Sequence, residues 1–342
     1  MFNPSYTISH QLLENIKRIN SLINELNNTR FTHVVLVEFQ RKAREVSAHA
    51  STSIEGNPLP LTAVIELIKN KPSNLRDSET EVLNYNHALE NLDKLIDNKV
   101  VQIDVDLILK IHREVTQNLL EENEVGKLRN KPVVVNDPRV NKVVYIPPDF
   151  KDVDSLMLNL VTFINKNINS IDPLILAGLL HKQMVIIHPF MDGNGRTTRL
   201  ITKFLLANMG LNTFKLFSFE NYYNQNVTKY FQNVGEFGDY YEIKDRINFT
   251  NWLEYFTGGI IDELIRVKNV LPDYIGNPKN KLEKYHQNII EYIKNKGFIT
   301  NTDYSKLVKR SKASRVKDFN DLIDMGIISR NGGGRSTYYT LR

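Results

Sequence analysis

Apolar residues recur at three- and four-residue intervals over His10–Leu26, His33–Ile54, Glu79–Ile96, Val105–Leu120, Val153–Ile168, Pro173–Ile187, Arg196–Met209, Asn221–Val234 and Asn248–Val270. That is the period of helices burying one stripe against a common core, so the chain is predicted to be mainly α. Asp172-Pro173 suits a helix start, because the proline lacks only an N–H that would be unpaired there anyway. One strand signal interrupts the helices. Pro132–Val135 and Val140–Ile146 flank the turn-like Asn136-Asp137-Pro138-Arg139, and Pro147-Pro148 closes the second run. An isolated hairpin is marginal on its own and needs a surface to lie on. It is expected either as a flap over a site or as a packed surface loop.

The pattern changes after Val270. Leu271–Asn280 is rich in Pro, Gly and Asn and reads as a boundary. Beyond it come a helix over His286–Lys296, a short helix after Thr302, a third over Ser311–Met325, and strands Gly326–Arg330 and Ser336–Leu341 joined by Asn331-Gly332-Gly333-Gly334-Arg335. Three helices and a glycine-tipped hairpin is the order of a winged helix-turn-helix. The predicted organisation is a helical region over 1–100, a helical core over 101–270 carrying the hairpin at 132–147, and a small domain over 281–342.

Length agrees, since 342 residues suggest about two domains. The chain is 41% hydrophobic and 24% charged, as ordinary globular proteins are. The absence of cysteine removes disulfides, thiolate zinc sites and cysteine nucleophiles, and fits a reducing compartment. The N-terminus lacks the order of a secretory signal. The most apolar stretch, Pro173–Ile187, contains His181, Lys182 and Gln183 and is too short to span a bilayer. A cytoplasmic protein with no membrane partner is therefore expected. Net charge is +5, unevenly spread: residues 281–342 carry +7 and the preceding 280 carry −2. A mildly acidic body and a basic tail suggest separate partners.

The chemistry is concentrated in His188-Pro189-Phe190-Met191-Asp192-Gly193-Asn194-Gly195-Arg196-Thr197-Thr198-Arg199, between two predicted helices. Pro189 disfavours a helical His188 and stops the first helix. Gly193 and Gly195 permit unusual backbone conformations and close approach of a ligand. The N–H groups that follow open a helix, where unpaired donors and the dipole favour an anion. Arg196 and Arg199, three apart on one helical face, form a fork suited to a polyphosphate. Asp192 could hold Mg²⁺, which takes one or two carboxylates and lets phosphates complete its shell. His188 can serve as general base toward a hydroxyl. Singly, each feature has a plainer reading as a helix end, a turn or a surface ion pair. Their order within twelve residues does not.

The segment matches, at every position, the Fic-family signature His-Pro-Phe-x-(Asp/Glu)-Gly-Asn-Gly-Arg-x-x-Arg. The resemblance runs from the Ser51 region to about Val270. It implies an all-α core transferring AMP from ATP to a hydroxyl side chain (Thr, Ser or Tyr) of a target protein, or of the chain itself. His188 then resembles the base, Asp192 the Mg²⁺ ligand, Gly193, Asn194 and Gly195 the phosphate cradle, and Arg196 and Arg199 the phosphate-binding arginines. Gly195 distinguishes the segment from Doc-type kinases, which carry Lys there. The hairpin resembles the family's flap, which aligns a target segment by strand addition, with Val143, Val144 and Tyr145 lining the nucleotide. Tyr230, in Lys229-Tyr230-Phe231, falls where relatives place an aromatic residue near adenine. The alternative for this aromatic cluster is core packing.

Ser51-Thr52-Ser53-Ile54-Glu55-Gly56-Asn57-Pro58 ends an early helix. Glu55 lies at the negative end of the helix dipole, which is mildly unfavourable unless a cation meets it. Taken alone it reads as a solvated helix-end carboxylate. The segment is similar to the family's inhibitory motif, Ser/Thr-x-x-x-Glu-Gly/Asn, of the subclass whose inhibitory helix precedes the core. That resemblance implies a Glu55–Arg199 ion pair, supported by Ser51, in the space of the ATP γ-phosphate. The same Glu55 could instead orient a water for de-AMPylation. A kinase or phosphocholine transferase of the same family is a further reading.

In the tail, Ser311 is a good N-cap, and Lys309, Arg310, Lys312, Arg315, Lys317 and Arg335 suit phosphate contacts by a recognition helix and wing. A DNA-binding regulator with a nucleotide-sensing Fic core is thus the non-enzymatic alternative. Winged helices also serve as protein-interaction or dimerisation modules, so a homodimer or another protein partner stays open.

Overall fold

The computed structural model describes residues 2–28, 33–70, 72–97, 102–137, 142–207, 215–275 and 282–341. It is mainly helical. Contacts divide the chain into two compact units, one of Met1–Asn28 with Ala43–Arg266, the other of Thr29–Lys42 with Val267–Arg342.

In order, the helices before the hairpin are α1 (His10–Asn28), α2 (His33–Ile54), α3 (Leu61–Asn70), α4 (Asp77–Asp97) and α5 (Val105–Thr116). Strands β1 (Val135–Asp137) and β2 (Lys142–Ile146) follow, then α6 (Phe150–Asn167), α7 (Pro173–Ile187), α8 (Asn194–Ala207), α9 (Phe219–Gln225), α10 (Val227–Val234), β3 (Gly238–Asp239), α11 (Tyr240–Ile243) and α12 (Thr250–Ile275). α7 is apolar on nearly every side and is buried accordingly, its Asp172 N-cap accepting from Leu174 N–H and Pro173 filling the first turn. It packs between α6 and α8, and α8 packs on α4 and α5. Each fully buried Leu, Ile or Met along α7 contributes about 1.5–3 kcal/mol.

Several expectations are corrected. The predicted Asn221–Val234 helix is two, because Asn226 leaves the helical region and its side chain caps α10 through Lys229 N–H. α5 stops at Thr116 rather than Leu120, with Asn118 at positive φ. α8 starts at Asn194, two residues early, so Gly195 lies within its first turn. α12 continues to Ile275 through the start of the predicted boundary. The hairpin is displaced: Asn136 and Asp137 are strand residues paired with Val143 and Lys142, with a bulge at Val135/Asn136. It is also not isolated, for Tyr145 and Ile146 pair in parallel with Gly238 and Asp239, giving a sheet ordered β1-β2-β3. The long-range partner at 238–239 is what a local alternation pattern cannot reveal. The predicted tip 138–140, Met209 and 276–280 lie outside the described residues.

The C-terminal unit holds α13 (Lys284–Lys296), α14 (Asn301–Leu307), α15 (Lys312–Asp324), β4 (Ile328–Asn331) and β5 (Tyr338–Leu341). Its core is Ile289, Ile293, Tyr304, Phe319, Leu322 and their neighbours. β4 and β5 pair antiparallel, Ile328 with Leu341, and a bridge between Ile299 and Tyr339 lengthens the pairing. Thr300 and Asp303 form a reciprocal capping box at α14, and Ser311 caps α15.

Candidate active site

The loop that carries the signature segment is built on a helix that ends awkwardly. His188 caps α7 in the left-handed conformation (φ 50°, ψ 60°), with its N–H on the Met184 carbonyl at 3.0 Å. A non-glycine residue there costs about 1–2 kcal/mol, and the following proline denies it the helical alternative. Asn194 closes the loop behind it: its Oδ1 accepts from Phe190 N–H and its Nδ2 donates to Phe190 O, both at 2.9 Å. The amide expected to face phosphate is thus committed to the loop. Gly193 sits at φ +75°, where a Cβ would also meet Thr116 Cγ2 at 2.8 Å. Gly195 is not in the left-handed region. What it provides is space, because a Cβ there would lie 2.0 Å from Glu55 Oε1 and 2.9 Å from Arg199 Nη1.

The two arginines serve different carboxylates. Arg196 pairs with Asp192 Oδ2 at 2.7 Å and with Glu81 Oε1 at 2.9 Å. Arg199 is fully buried; its Nε donates to Ser51 Oγ at 2.8 Å, and its Nη2 donates to Ser51 O at 2.9 Å and Glu55 Oε1 at 2.7 Å. The expected fork on one face is therefore split in this arrangement. Arg199 Nη1 is buried and meets no partner at hydrogen-bonding geometry, although the Tyr230 hydroxyl lies near the Arg199 guanidinium. Burial lowers the Arg199 pKa, but Glu55, Tyr230 and Tyr85 more than offset it, so the net shift is upward. Glu55 reaches this position from a Schellman end to α2, with Asn57 N–H on Thr52 O, Gly56 N–H on Ser53 O, and Gly56 at φ +97°.

Burial drives the His188 pKa down to about 4, against the opposing charge of Glu55, so the ring is neutral near pH 7. Its Nδ1 is buried and meets no partner at hydrogen-bonding geometry, although the nearby Val185 main chain favours the charged ring. Asp192 keeps 60% of its side chain exposed. Among the described residues no three His, Cys, Asp or Glu side chains converge as a metal cluster. A cation here would rely on one carboxylate completed by phosphate and water, which is how Mg²⁺ is commonly held. The donor set fits that ion.

Sequence reasoning missed several groups. His112 of α5 stacks on Phe190 with ring centroids 3.8 Å apart and planes at 8°. Its Nδ1 accepts from Gly126 N–H at 3.0 Å, which leaves the ring proton on Nε2 to donate to Asp192 O, also at 3.0 Å. Burial holds its pKa down at about 4. Glu81, Arg129 and a buried cluster of Lys203, Glu220, Ser47 and Tyr85 were also missed. Lys203 Nζ donates to Ser47 Oγ at 2.8 Å and lies 3.3 Å from Glu220 Oε2, and Tyr85 OH donates to Glu220 Oε1 at 3.0 Å. On α2 and α8, then, Ser47 meets Lys203, Ser51 meets Arg199, and Glu55 reaches both Arg199 and Gly195. Ser47, Tyr85, Lys203 and Glu220 lie in no motif, and these partners are separated by up to 173 residues.

The two tyrosines expected near the nucleotide are both buried. Tyr145 is 3% exposed, and its hydroxyl donates to Ile186 O at 3.0 Å, so it anchors the hairpin to the end of α7. Tyr230 is 1% exposed and stacks on Tyr223 with centroids 4.5 Å apart. Its neighbour His181 resolves its role. Thr202 Oγ1 donates to Thr198 O, so it accepts from His181 Nδ1–H, and the free His181 Nε2 accepts from Tyr230 OH at 3.1 Å. Tyr230 is thus buried in the aromatic cluster, close to Arg199 and Glu55, and burial pushes its pKa up to about 12. The exposed ring on that helix is Phe231. Val143 is exposed and Val144 half-buried on β2. β3 pairs only with Tyr145 and Ile146, so it does not cover that edge at Val143 and Val144.

In the C-terminal unit, Arg310 pairs with Asp318 (Nε–Oδ2 3.0 Å) and lies 3.8 Å over the Tyr285 ring. Arg315 donates to Asn301 Oδ1 at 2.9 Å and Arg310 O at 2.7 Å. Two of the expected nucleic-acid contacts are therefore engaged within the unit, whereas Lys309, Lys312 and Lys317 are exposed.

Residues 102–206 match the Fic/DOC family. A stretch of 164 residues is 31% identical to protein adenylyltransferase Fic of Nematostella vectensis, covering 47% of this chain and 36% of that protein. Over 227 residues the chain is 27% identical to protein adenylyltransferase Fic of Aedes aegypti, covering 61% of this chain and 43% of that one. The chain thus spans less than half the length of these relatives. Its fold is that of a Fic family protein from Desulfovibrio desulfuricans (TM-score 0.65, 20% identity, 100% of this chain and 98% of that one). Fic-1 of Caenorhabditis elegans, residues 134–508, is also similar in fold (TM-score 0.57, 22% identity, 78% and 72% covered). No helix among the described residues is long and apolar enough to cross a membrane.

Proposed function

We propose that this chain transfers AMP from ATP to a hydroxyl side chain of a target protein, and that Glu55 restrains the reaction. One observation carries the reading. A buried guanidinium, Arg199, lies at the start of α8 with one nitrogen unpartnered, and its carboxylate partner is presented by a helix end that is only partly buried. A group held this way can exchange the carboxylate for a phosphate.

In this reading the N–H groups opening α8, which have no intrahelical partner, and the space above Gly195 receive the triphosphate. Asp192 holds Mg²⁺, which when bound neutralises phosphate charge and supports departure of pyrophosphate. Neutral His188 takes the proton of the target hydroxyl. The oxygen then bonds to the α-phosphorus, the bond from that phosphorus to the bridging oxygen breaks, and pyrophosphate leaves with the electron pair. The negative charge that ATP brings favours the protonated ring, so the base strengthens as the substrate binds. A target segment adds as a strand along the part of β2 that β3 does not cover, at Val143 and Val144. Phe231 is the accessible ring for adenine.

Residues 282–341 are read as a winged helix, with the chain as a whole soluble and cytoplasmic. DNA is one partner of that module; a second protein or a second copy is the other.

The experiment is label transfer from α-³²P-ATP to protein, with γ-³²P-ATP as control. Glu55→Gly is expected to raise α-label transfer by on the order of 10–100-fold, the scale of 1.4 to 2.7 kcal/mol. His188→Ala in that background removes the proton acceptor and lowers transfer at least about 100-fold. Label from the γ position instead would identify a kinase. Transfer indifferent to His188 would overturn the reading.

A further inference from the structure

Arg129 stands outside every motif, yet it is only 4% exposed. Among the described residues no carboxylate ion-pairs with it. Its donors go instead to main-chain carbonyls on three segments. Nε donates to His188 O at 2.8 Å, Nη2 to Ile187 O at 3.5 Å and to Pro148 O, and Nη1 to Lys131 O at 3.2 Å. Its own N–H donates to Pro189 O at 2.9 Å.

Those positions have a meaning together. Ile187 and His188 carry carbonyls that a helix end leaves unpaired, at the negative end of the dipole, so a cation there is favourable. His188 is also the residue held in the left-handed conformation. Lys131 and Pro148 are the two roots of the flap, just before β1 and just after β2. Tyr145 adds a second tie from the flap to the same helix end through Ile186 O. Only a planar group with forked donors can reach carbonyls on three segments at once.

We infer that Arg129 is a positioning residue: it fixes the main chain that carries the His188 imidazole and sets its offset from both roots of the flap. The inference rests on the reading of His188 as base, and it deepens that reading. Misplacing a reacting group by about 1 Å costs about 100-fold in rate. Arg129 therefore acts on turnover rather than on ATP affinity.

The test uses the full chain with Glu55→Gly as parent. Arg129→Gln is expected to lower kcat for AMP transfer by about 100-fold while KM for ATP changes less than about 3-fold, and to shift the ¹³Cε1–¹H resonance of His188. Arg129→Lys, a point charge that cannot fork, restores no more than about a tenth of the parent kcat. A lower Tm with kcat and the His188 resonance unchanged would leave Arg129 a purely structural residue and overturn the inference. If Arg129→Gln does not fold, Tyr145→Phe removes only the Ile186 bond; it should shift the same resonance and lower kcat about 3- to 10-fold, and no change in either overturns the inference. A parent that transfers no AMP defeats the proposed function, whereas the His188 resonance still decides whether Arg129 positions the ring.

Discussion

Arg199 on α8 and Arg315 on α15 are both helical arginines close to a second basic residue, but they differ in what remains unpaired. Arg199 keeps one buried nitrogen without a partner, and its other terminal nitrogen is shared with a carboxylate that is 30% exposed. Arg315 is tied to Asn301 and to the Arg310 main chain, and Arg310 is itself fixed by Asp318 and Tyr285. An unmet buried donor costs roughly 1–3 kcal/mol, but Arg310 Nε also meets no partner at hydrogen-bonding geometry, so what distinguishes Arg199 is the partly exposed Glu55 carboxylate that it holds. Counting positive charge along a helix does not separate the two cases.

The largest effect is expected at Gly195, where space and charge coincide. Gly195→Ala places a methyl 2.0 Å from the present position of Glu55 Oε1, which must move, and 2.9 Å from Arg199 Nη1. Glu55 is the end of a flexible side chain, so the fold loses little, about 1 kcal/mol. The methyl nevertheless occupies the space beside the nitrogen on which the site depends. AMP transfer is therefore expected to fall at least about 100-fold, and to stay low when Glu55→Gly is added. Recovery in the double variant would mean that Gly195 accommodates only the restraining carboxylate.

A second contrast concerns buried ion pairs. Glu220 is fully buried and meets Lys203, Tyr85 and Ser218, whereas Arg310, the partner of Asp318, keeps 24% of its side chain exposed. Glu220→Ala strands a buried ammonium and is expected to cost about 3–5 kcal/mol, on the order of 10 °C in Tm. Asp318→Ala leaves a guanidinium with access to water and should cost about 1–3 kcal/mol. Thermal unfolding of both variants checks the ranking. Equal losses would show that burial does not grade these pairs.

These pairs also mark the limit of what could be read before the structure. Pro189, the glycines and the helix periods carry their meaning locally, so the end of α7, the start of the loop and the Ser51–Glu55 helix end were legible from spacing alone. Pairing of Glu55 with Arg199 was legible only through family resemblance. Of the two reasons for glycine at 195, the structure shows the need for close approach and not for a left-handed backbone. Arg129, His112 and Glu220 were invisible for one reason: each acts across a large sequence separation on main chain or on a lone side chain, and leaves no periodic trace. Tyr230 and Tyr145 were read as site residues because an aromatic ring in a sequence does not disclose which way it faces.

Acid should load two buried histidines of the larger unit that resist protonation in the fold. His112 and His188 titrate at about 4 in the fold, below the ordinary 6.5. Between those values the unfolded chain binds protons that the folded chain refuses. Stability is therefore full above about pH 6.5 and declines as pH falls toward 4, by up to about 1.4 kcal/mol per pH unit for each ring. His112→Gln is expected to lower Tm at pH 7.5 but to shrink the further loss between pH 7.5 and 5. A variant with the full acid loss of the parent would assign that loss to other groups.

The smallest effects belong to the exposed lysines, and they test the other half of the comparison. If the C-terminal unit binds DNA through α15, the exposed Lys309, Lys312 and Lys317 are the contacts beside that helix, with Arg335 expected from the wing, since Arg310 and Arg315 are engaged within the unit. Each phosphate contact contributes close to one unit to the slope of log affinity against log salt. Lys312→Ala and Lys317→Ala in the full chain should each reduce that slope by about 1, with Tm unchanged within about 1 °C. Arg315→Ala should do the reverse: it loses two internal hydrogen bonds, about 1–3 kcal/mol, and shifts the slope little. A gel shift on random duplex with no salt dependence would remove DNA and leave a protein as the partner of this unit. A slope that falls with Arg315→Ala as far as with the lysines would show that a guanidinium held within the unit still reaches phosphate.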